Sequence, residues 1–418
     1  MRLVVTTEYR FYRTPDGSYW TTSAFARPFW TRYLDVFEQL RVVARVCAVE
    51  EPPPKAVRSD GENVEFCPVP YYVGPGHFLW RAPQVYSMMK QAIADDDAVI
   101  MRIGSLIATF AVPSLLRRQH PYGVEVVGDP YEVYAPGGVQ HPLRPLFRWW
   151  FTRAQKHQCW NAVGAAYVTQ NALQKRYPCS GLQASVSDVE ISESSLIGTH
   201  RVFQPHYPSV ERTSAAYSNG TREHAAASSR VRLILVGSLE QYYKAPDIII
   251  AALAQLVKAG YSLELVIVGD GKYRKDLQVL AHRLGVSDRV SFRGMLPAGQ
   301  AVRDELDAAA LFVLPSRTEG LPRAMIEAMA RGLPCIGSTA GGIPELLPPE
   351  DMVPPGDVGA LSAKLAEVLR DPERMARMSA RGLATAKEYL DDVLRARRTA
   401  FYQYVREATQ AWLHSQAW

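Results

Sequence analysis

Short apolar runs alternate with helix-like stretches from residue 231 onward. The runs are VRLILVGS (231–238), LELVIVGD (263–270), RVSFRG (289–294), LFVLPS (311–316) and PCIGST (334–339). Continuous apolar strands separated by helices are typical of a parallel sheet that helices cover on both faces. Pro246 and Pro322 stand at positions where a proline commonly opens a helix. The second half of the chain is therefore predicted to be a doubly wound α/β domain.

The first half repeats this alternation less regularly. Its pattern predicts strands at 2–6, 41–46, 98–103 and 123–127 and helices near 29–40 and 106–119. Between the halves, residues 209–230 are polar, rich in Ser and Ala and without apolar periodicity, as in a linker. The predicted division is a first domain at 1–185, a linker region at 186–230, a second domain at 231–390 and a C-terminal helix at 391–418.

Length supports this division, because a chain of 418 residues is too long for one ordinary core and about two domains are expected. The predicted fold class is α/β, with two Rossmann-like doubly wound domains that face a cleft. Such domains bind ligands at the carboxyl ends of their parallel strands. Candidate site residues are therefore sought on the loops that follow strands.

Composition and charge limit the compartments and the classes of binding partner that fit this chain. The five cysteines lie far apart with no CxxC pair, which favours a reduced, cytosolic compartment. The apolar start of MRLVVTTEYRFYR is too short for a signal-peptide core. No window approaches the roughly 20 apolar residues of a spanning helix, so any membrane contact is predicted to be peripheral. A net charge of only +5 and the lack of a reader motif argue against nucleic acid, and no ligand cluster suggests a metal.

Two glutamates flank the start of an apolar helix in TEGLPRAMIEAMARGLP, residues 318–334. Glu319 stands on the loop after the strand LFVLPS, which is a ligand position. Glu327 lies within the helix, where a carboxylate must be solvated or paired, and a ligand hydroxyl would be such a partner. Alternatively, Glu319 is a first-turn charge that the helix dipole favours, and Glu327 is a surface residue.

Two other loops of the second domain carry groups that suit a diphosphate. Lys244, in VGSLEQYYKAPD, precedes a helix start, and a lysine beside a helix N-terminus can hold a diphosphate without a metal. Gly341 and Gly342, in STAGGIPEL, let the backbone and its N–H groups approach a ligand closely. A solvated surface lysine and an ordinary loop would give the same patterns.

Taken together, three segments resemble the C-terminal domain of retaining glycosyltransferases of family four, which have the two-domain GT-B architecture. The segments are GSLEQYYKAPD, LVIVGDGKYRKDLQVLAHRLGVSDRVSFRGML and SRTEGLPRAMIEAMARGLPCIGSTAGGIPEL, in order within residues 231–347. They include that family's two glutamates separated by seven residues. The resemblance implies that the second domain binds the donor, that the first lies on the acceptor side, and that the tail 391–418 crosses back to the first domain.

The resemblance also implies roles for individual residues. Glu319 would meet the donor sugar near its reacting carbon, Glu327 would bind the ribose, and Lys244 would neutralise the diphosphate. The backbone at Gly320 and Leu321 would hold the distal phosphate or the sugar. The implied donor-binding set is Gly237, Ser238, Lys244, Arg293, Gly294, Glu319, Gly320, Leu321, Glu327, Gly341 and Gly342, with Glu345 near the donor and residues 289–294 beside the nucleobase.

The chain departs from the family pattern at two places. Ser238 stands where the family usually has the arginine of a GR-x(5)-K pattern, so another cation, helix dipoles or backbone amides must stabilise the leaving diphosphate. Where many relatives have a histidine after a central strand, this chain offers Asp129. Asp129 is predicted to contact the acceptor hydroxyl or the donor sugar, and a turn residue before Pro130 is the equal alternative. Glu125 is predicted to be structural.

Two aromatic segments of the first half are candidates for other contacts. The loop predicted at 8–30 is rich in aromatic residues and arginines and is a candidate acceptor site, with Gly17 as its glycine. Core packing of at least some of Trp20, Phe25 and Trp30 is the alternative. The segment RPLFRWWFTRAQK, residues 144–156, interleaves cations with aromatic rings, which suits a helix on anionic lipid. A core-facing helix with a basic edge would look the same.

On this resemblance we expect a cytoplasmic glycosyltransferase, with the inner face of the membrane as a candidate contact. It would move a hexose-like sugar from a nucleotide sugar to the hydroxyl of a saccharide or lipid-linked acceptor, with retention of configuration and without cofactor or metal. Surface polysaccharide or glycolipid assembly is the expected setting. Catalysis is expected from Glu319, Lys244 and Asp129. The alternatives are a nucleotide-sugar epimerase of similar architecture and a non-catalytic sugar-nucleotide-binding partner.

Overall fold

Strands and helices alternate through both halves of the chain, as the apolar pattern predicts. The structure, a computed structural model, describes residues 1–135, 139, 141–189, 191–207 and 230–416, apart from the side chain of Pro75. The chain divides into two units. The first comprises the described parts of Met1–Tyr131, Leu146–Ser187 and Leu394–Trp418, and the second those of Glu132–Pro145 and Asp188–Val393.

The elements of the first half follow in chain order. The strands are β1 (Arg2–Arg13), β2 (Tyr19–Thr21), β3 (Gln39–Ala48), β4 (Val57–Arg58), β5 (Val64–Pro70), β6 (Ala98–Ile103), β7 (Gly123–Val126), β8 (Gly164–Tyr167) and β9 (Leu182–Ser185). The helices are α1 (Arg27–Thr31), α2 (Gly74–Ala92), α3 (Leu106–Arg117), α4 (Pro130–Val133), α5 (Arg144–Trp160) and α6 (Ala172–Arg176).

The second half continues the alternation. Its strands are β10 (Val231–Val236), β11 (Leu263–Val268), β12 (Val290–Gly294), β13 (Leu311–Leu314), β14 (Cys335–Ser338) and β15 (Met352–Val353). Its helices are α7 (Pro246–Lys258), α8 (Arg274–Arg283), α9 (Gln300–Asp307), α10 (Arg323–Ala330), α11 (Val358–Arg370), α12 (Pro372–Lys387) and α13 (Asp391–Gln416).

The second sheet has the strand order of a doubly wound domain. Its strands are all parallel and lie in the order β12-β11-β10-β13-β14-β15. Numbered within the sheet, this is 3-2-1-4-5-6, so the direction of winding reverses between β10 and β13. In open α/β sheets the ligand binds outside the carboxyl ends of the strands at such a switch point. The loops after β10 and β13 are therefore the ones to examine.

The first sheet repeats this order. The parallel strands β5-β3-β1-β6-β7-β8-β9 place its switch point between β1 and β6, and β2 and β4 pair antiparallel at the far end of β1. Side chains of α2, α3 and the end of α5 share one apolar core with the strands. The chain therefore forms two Rossmann-like α/β units, as predicted.

Helix α13 covers the other face of the first sheet. Phe401 and Val405 lie over two strand glycines, where a Cβ at Gly123 would approach Val405 Cγ2 to 2.7 Å and one at Gly164 would approach Phe401 to 3.3 Å. Beside them, Glu125 accepts hydrogen bonds from the hydroxyls of Tyr33 and Tyr402 and pairs with Arg102, and all four residues are buried. Small residues on the strands thus allow the helix to approach closely.

Several predictions for the first half differ from the structure. The predicted loop 8–30 is largely regular, because β1 pairs with β3 again beyond a bulge and continues to Arg13. The helix predicted near 29–40 is only the short α1, and β3 begins at Gln39. Strands β5, β8 and β9 and helix α2 were not predicted. Helix α2 starts with GPG and contains Pro83, residues that normally indicate a loop.

The predicted linker region also differs where the structure describes it. Ile197 N donates to Ala330 O at 3.1 Å, and His206 N donates to Leu369 O at 2.8 Å. The Arg201 guanidinium donates to backbone carbonyls at the ends of α9 and α10. Residues 191–207 therefore belong to the second unit, where their donors satisfy open carbonyls at helix ends. The remainder of the predicted linker, 208–229, lies outside the described residues.

Two further expectations concern the whole chain. All five cysteines, which lie in the described residues, are free thiols. No helix among the described residues is long and apolar enough to cross a bilayer.

Candidate functional site

The switch point of the second sheet brings Lys244 and Glu319 together. Lys244 follows β10, and Glu319 follows its neighbour β13. Lys244 Nζ donates to Glu319 Oε2 at 2.5 Å, and the two side chains are 13% and 9% exposed. Ser316 Oγ donates to the same carboxylate oxygen at 3.1 Å. Two residues from distant parts of the sequence thus form a shielded ion pair at the ligand-binding edge of the sheet.

Both members of this pair keep hydrogen-bonding capacity for a ligand. An ammonium has three donors, and each carboxylate oxygen can accept more than one hydrogen bond. Among the described residues, Glu319 Oε1 accepts no hydrogen bond, and Lys244 Nζ donates to Glu319 alone. A phosphate oxygen at Nζ and a sugar hydroxyl at Oε1 would therefore complete the coordination of the pair.

Arg317 holds the loop that carries Lys244. Its guanidinium forms a two-point ion pair with Asp247, in the first turn of α7, at 2.8 and 2.6 Å. It also donates to Tyr242 O at 2.9 Å, and Arg317 N donates to Tyr243 O at 2.7 Å. The hydrogen bond to Asp247 raises the pKa of Arg317. The loop after β13 therefore fixes the loop after β10 from both sides of Lys244.

The restrained turn is an unusual one. Ala245, directly after Lys244, is buried and has left-handed backbone angles, φ 53° and ψ 47°. This region costs a non-glycine residue about 1 kcal/mol or more. Pro246 then opens α7. On the other side, a Cβ at Gly237 would lie 3.2 Å from Lys244 Cγ, so the glycine gives the lysine stem its room. Surrounding contacts hold a strained turn that aims Lys244 at Glu319.

The glycine pair of the second domain lies against the same loop. Gly341 has φ +55°, and a Cβ there would lie 1.8 Å from Glu319 O, so only glycine fits. Gly342 N donates to Gly320 O at 2.7 Å. Glu345 closes the short turn that follows. The loop of Gly341 and Gly342 therefore lies in direct contact with the loop that carries Glu319.

Helix α10 carries Glu327 and buries its apolar side. Met325, Ile326 and Ala328 are fully buried, and Glu327 between the last two is partly buried. Leu321, at the loop before the helix, is buried as well. Glu327 is thus held by neighbours that pack into the unit, in the second turn of α10 and eight residues after Glu319.

The candidate residues at the end of β12 have partners of their own. Arg293 Nε pairs with Glu305 on α9 at 2.8 Å. Gly294 O accepts from Gly269 N at 2.9 Å, which ties the end of β12 to the loop after β11. Ser238, on the loop after β10, accepts from Glu240 N at 3.2 Å through its hydroxyl. The Arg293 charge is therefore shared with a carboxylate.

The loop after β11, with Gly269 and Gly271, also lies at the carboxyl edge of the second sheet, although it is not among the candidate residues from the sequence. A Cβ at Gly269 would lie 1.9 Å from Gly237 O, and one at Gly271 would lie 2.3 Å from Glu240 N. The motif VGDG after an apolar strand was the available signal. Arg317 and Asp247 were missed for another reason, since a pairing across 70 residues leaves no local pattern.

In the first unit, Asp129 is buried, and its carboxylate already has hydrogen-bond partners within the chain. It pairs with Arg176, accepts from Tyr177 Oη at 2.5 Å and accepts from Tyr131 N at 3.1 Å, at the start of α4. Burial, together with the Asp129 charge, raises the pKa of Tyr177. These are the contacts of a turn residue that caps a helix, and any acceptor contact by Asp129 would compete with them.

Gly17 lies in the hairpin turn between β1 and β2. It has φ +85°, which suits glycine, and Gly17 N donates to Thr14 O at 3.0 Å. Hydrogen bonds from Thr14 and Ser18 lower the pKa of neighbouring Asp16 to about 2. Gly17 and Asp129, the two candidate acceptor-binding residues, share no hydrogen-bond partner among the described residues. Of the aromatic residues nearby, Trp30 is buried in the core and Trp20 donates to Thr14.

The switch point of the first sheet is filled by the chain itself. Glu8 Oε2 accepts from Ser105 Oγ at 2.9 Å and from the backbone N–H groups of Leu106 and Ile107 at 3.0 and 3.3 Å, at the start of α3. Glu8 Oε1 accepts from Tyr72 Oη at 2.5 Å. A helix N-terminus at a switch point is where a ligand anion would bind. Here a carboxylate of the chain takes that position.

Comparisons with known proteins show which family and fold this chain resembles. Residues 221–384 match the family model "Glycosyl transferases group 1". The protein CapJ of Staphylococcus aureus is 27% identical over 369 residues, which cover 87% of this chain and 85% of CapJ. A GDP-mannose-dependent monoacylated alpha-(1-6)-phosphatidylinositol monomannoside mannosyltransferase of Corynebacterium glutamicum is 36% identical over 46% of this chain and 53% of its own length.

A solved structure shows the same fold over almost the whole chain. The sucrose-phosphate synthase of Thermosynechococcus elongatus superposes with a TM-score of 0.67 at 17% identity and covers 96% of this chain and 98% of its own. Identity this low supports the fold alone. With the matched family model and the two doubly wound units, the conclusion is that this chain carries a glycosyl transferases group 1 domain on a GT-B fold and is a glycosyltransferase.

Proposed function

We propose that this glycosyltransferase moves a hexose-like sugar from a nucleoside-diphosphate sugar to a hydroxyl of a saccharide or lipid-linked acceptor, with retention of configuration. The observation that carries the proposal is the ion pair of Lys244 and Glu319 at the switch point of the second sheet. Glu8 fills the equivalent position of the first sheet, which supports donor binding by the second unit. This difference supports the predicted division into a donor and an acceptor side.

The chemistry follows from the groups at the site. As the bond from the sugar to the phosphate breaks, negative charge grows on the leaving diphosphate, and Lys244 with the N-terminus of α7 would stabilise it. Glu319 Oε1 would accept from a sugar hydroxyl, and Glu327 would bind the ribose. The acceptor oxygen forms its bond on the face that the diphosphate leaves, and its proton passes to the departing phosphate oxygen. No cofactor or metal has a role in this scheme.

The setting of the reaction is part of the same proposal. The relative from Corynebacterium glutamicum is named as using GDP-mannose and as acting on a phosphatidylinositol mannoside. This supports a nucleotide-sugar donor and a place in surface polysaccharide or glycolipid assembly, in the cytoplasm. The panel of donors and acceptors described next would identify the nucleotide base, the sugar and the acceptor.

A panel of nucleotide sugars tests the proposal. Nucleoside diphosphate release is measured with and without saccharide and polyprenyl-linked acceptors, for the full chain and for Glu319→Ala. Acceptor-dependent release with one donor, lost in the variant, is the expected result. The anomeric configuration of the product, read by NMR from its one-bond C–H coupling, tests retention. Turnover with no donor, or an unaffected Glu319→Ala variant, would refute the proposal.

The same panel separates the alternatives. An epimerase would change the donor sugar with no acceptor present, and the match to glycosyltransferases does not favour it. A non-catalytic partner would bind a nucleotide sugar, detectable by calorimetry, and release nothing.

A further inference from the structure

Helix α5 turns its tryptophans outward. Trp149, Trp150 and Trp160 are 64%, 47% and 58% exposed, and half-exposed Leu146 precedes them. At 3.6 residues per turn these positions fall on one face of the helix. The buried residues of the helix are Gln155, Gln158 and Cys159. The helix therefore packs through a largely polar face and leaves its large aromatic side chains in contact with solvent.

The same face carries cations that lack acidic partners. Arg153 and Lys156 lie between the tryptophans at helical spacing and are exposed. The sequence of α5 contains no Asp or Glu. Within the described ranges, neither cation takes part in an ion pair. The outward face is thus both aromatic and positively charged.

Helix α2 adds a second strip of this kind. Leu79 and Trp80 are 71% and 86% exposed, and α2 also contains no Asp or Glu. Both helices pack on neighbouring residues of α3. The Phe78 ring stacks on Phe110 with centroids 5.5 Å apart, and Gln158 Nε2 donates to Thr109 Oγ1 at 3.0 Å. Helices α2 and α5 therefore lie on the same face of the first sheet, with α3 between them.

We propose that the outward faces of α2 and α5 dock on an anionic lipid bilayer. Tryptophan is enriched at the membrane interface, where its ring lies among headgroups, and Lys and Arg beside it attract anionic phosphates. Large exposed aromatic side chains on a soluble unit indicate a surface that is covered in use. The missing acidic residues identify a negatively charged partner. This surface shares no residue with the donor site, so its function can fail or hold independently of the proposed transfer.

Vesicle flotation with the full chain tests the proposal. Vesicles of phosphatidylcholine with about 30 mol% phosphatidylglycerol are compared with vesicles of phosphatidylcholine alone, at low and high salt. The wild type should float with the anionic vesicles, and binding should weaken as salt rises. Replacing both rings, Trp149→Ser with Trp150→Ser, should weaken partitioning at least about tenfold. Reversing the charges, Arg153→Glu with Lys156→Glu, should remove the preference for anionic lipid.

The control is Val279→Ser on α8 of the second unit, a side chain that is 67% exposed outside the proposed surface. It should bind vesicles as the wild type does. Circular dichroism and thermal melting establish that each variant is folded. Equal binding by the double tryptophan variant, or no binding by the wild type to either vesicle, overturns the proposal. If the wild type binds no vesicles but is a dimer, and the double tryptophan variant is a monomer, the surface is instead an interface with a second copy of the chain.

Discussion

Lys244 Nζ and Glu319 Oε2 are hydrogen-bonded at 2.5 Å across the switch point of the second sheet. Each charge neutralises the other in a site that is mostly shielded from water. A donor diphosphate would bring a second anion to Lys244, and the ammonium would then be shared between the diphosphate and the carboxylate. Lys244 is therefore the group on which the proposed transfer depends most directly.

Replacing Lys244 by methionine should lower kcat/KM for the donor at least about 100-fold, because a preorganised charge at the leaving group contributes about 3 kcal/mol or more. Steady-state release of nucleoside diphosphate measures the effect. The matched control is Lys258→Met, an exposed lysine in the last turn of α7. Activity that survives in Lys244→Met would place the diphosphate elsewhere.

Arg317→Leu should lower kcat/KM about tenfold, because the turn at Ala245 loses the contacts that aim Lys244. Adding Asp247→Ala should cost little more, since both changes break one ion pair. The control is Arg331→Leu, which breaks a similar two-point pair with Asp307 away from the switch point. It should lower the melting temperature and leave turnover at 25 °C unchanged. Equal kinetic effects of the two arginine variants would make Arg317 merely structural.

Ser238→Arg should lower the donor KM roughly 10- to 100-fold, since a charge-assisted hydrogen bond to the diphosphate contributes roughly 1.5 to 3 kcal/mol. The present hydroxyl makes a local contact with Glu240 N, which the longer side chain can lose at small cost. Ser238→Gln, of similar reach without the charge, is the control. A KM that is unchanged or higher in Ser238→Arg would show that the diphosphate lies out of reach of this position.

Glu8→Ala should destabilise the first unit by about 2 kcal/mol, because backbone donors at the start of α3 and the Tyr72 hydroxyl lose their acceptor. Glu8→Gln, which keeps an acceptor oxygen, should cost less. Urea unfolding followed by circular dichroism measures both. Identical stability of Glu8→Ala and the wild type would show that water replaces the carboxylate fully.

His120 should make the protein less stable in mild acid. Burial against the Trp412 ring lowers the pKa of His120, with nearby Arg118 acting in the same direction and Asp95 and the Pro121 carbonyl opposing it. The unfolded state then binds more protons below about pH 6.5, so stability is full above that pH and falls as the pH decreases toward the folded-state pKa. Urea unfolding between pH 7.5 and 5.5 should show a shallower loss for His120→Gln. Parallel curves would refute this assignment.

The first five strands of the second half were predictable from the sequence, and the short edge strand β15 was not. Each of its five predicted runs is a strand, β10 to β14. Strands β10, β11, β13 and β14 are mostly buried, and a strand buried on both faces gives a continuous apolar run. Strand β12 lies at the sheet edge and is more exposed. The strands of the first half were harder to predict from the sequence. Gly164 and the small residues after it give a weak apolar signal, and at Gly164 a side chain would crowd Phe401, which comes from the far end of the chain. A local pattern cannot show that requirement.

The sequence by itself determined which residues stand at the carboxyl ends of strands, and so named Lys244, Glu319 and the Gly341 loop. Only the tertiary structure decided what meets there. The sheet order makes β10 and β13 neighbours, pairs Lys244 with Glu319 and lets Arg317 hold the turn between them. It also decided that Glu8 fills the first switch point and that the tryptophans of α5 face outward. Local propensity governs each element, whereas the pairing of elements depends on contacts between residues far apart in the chain.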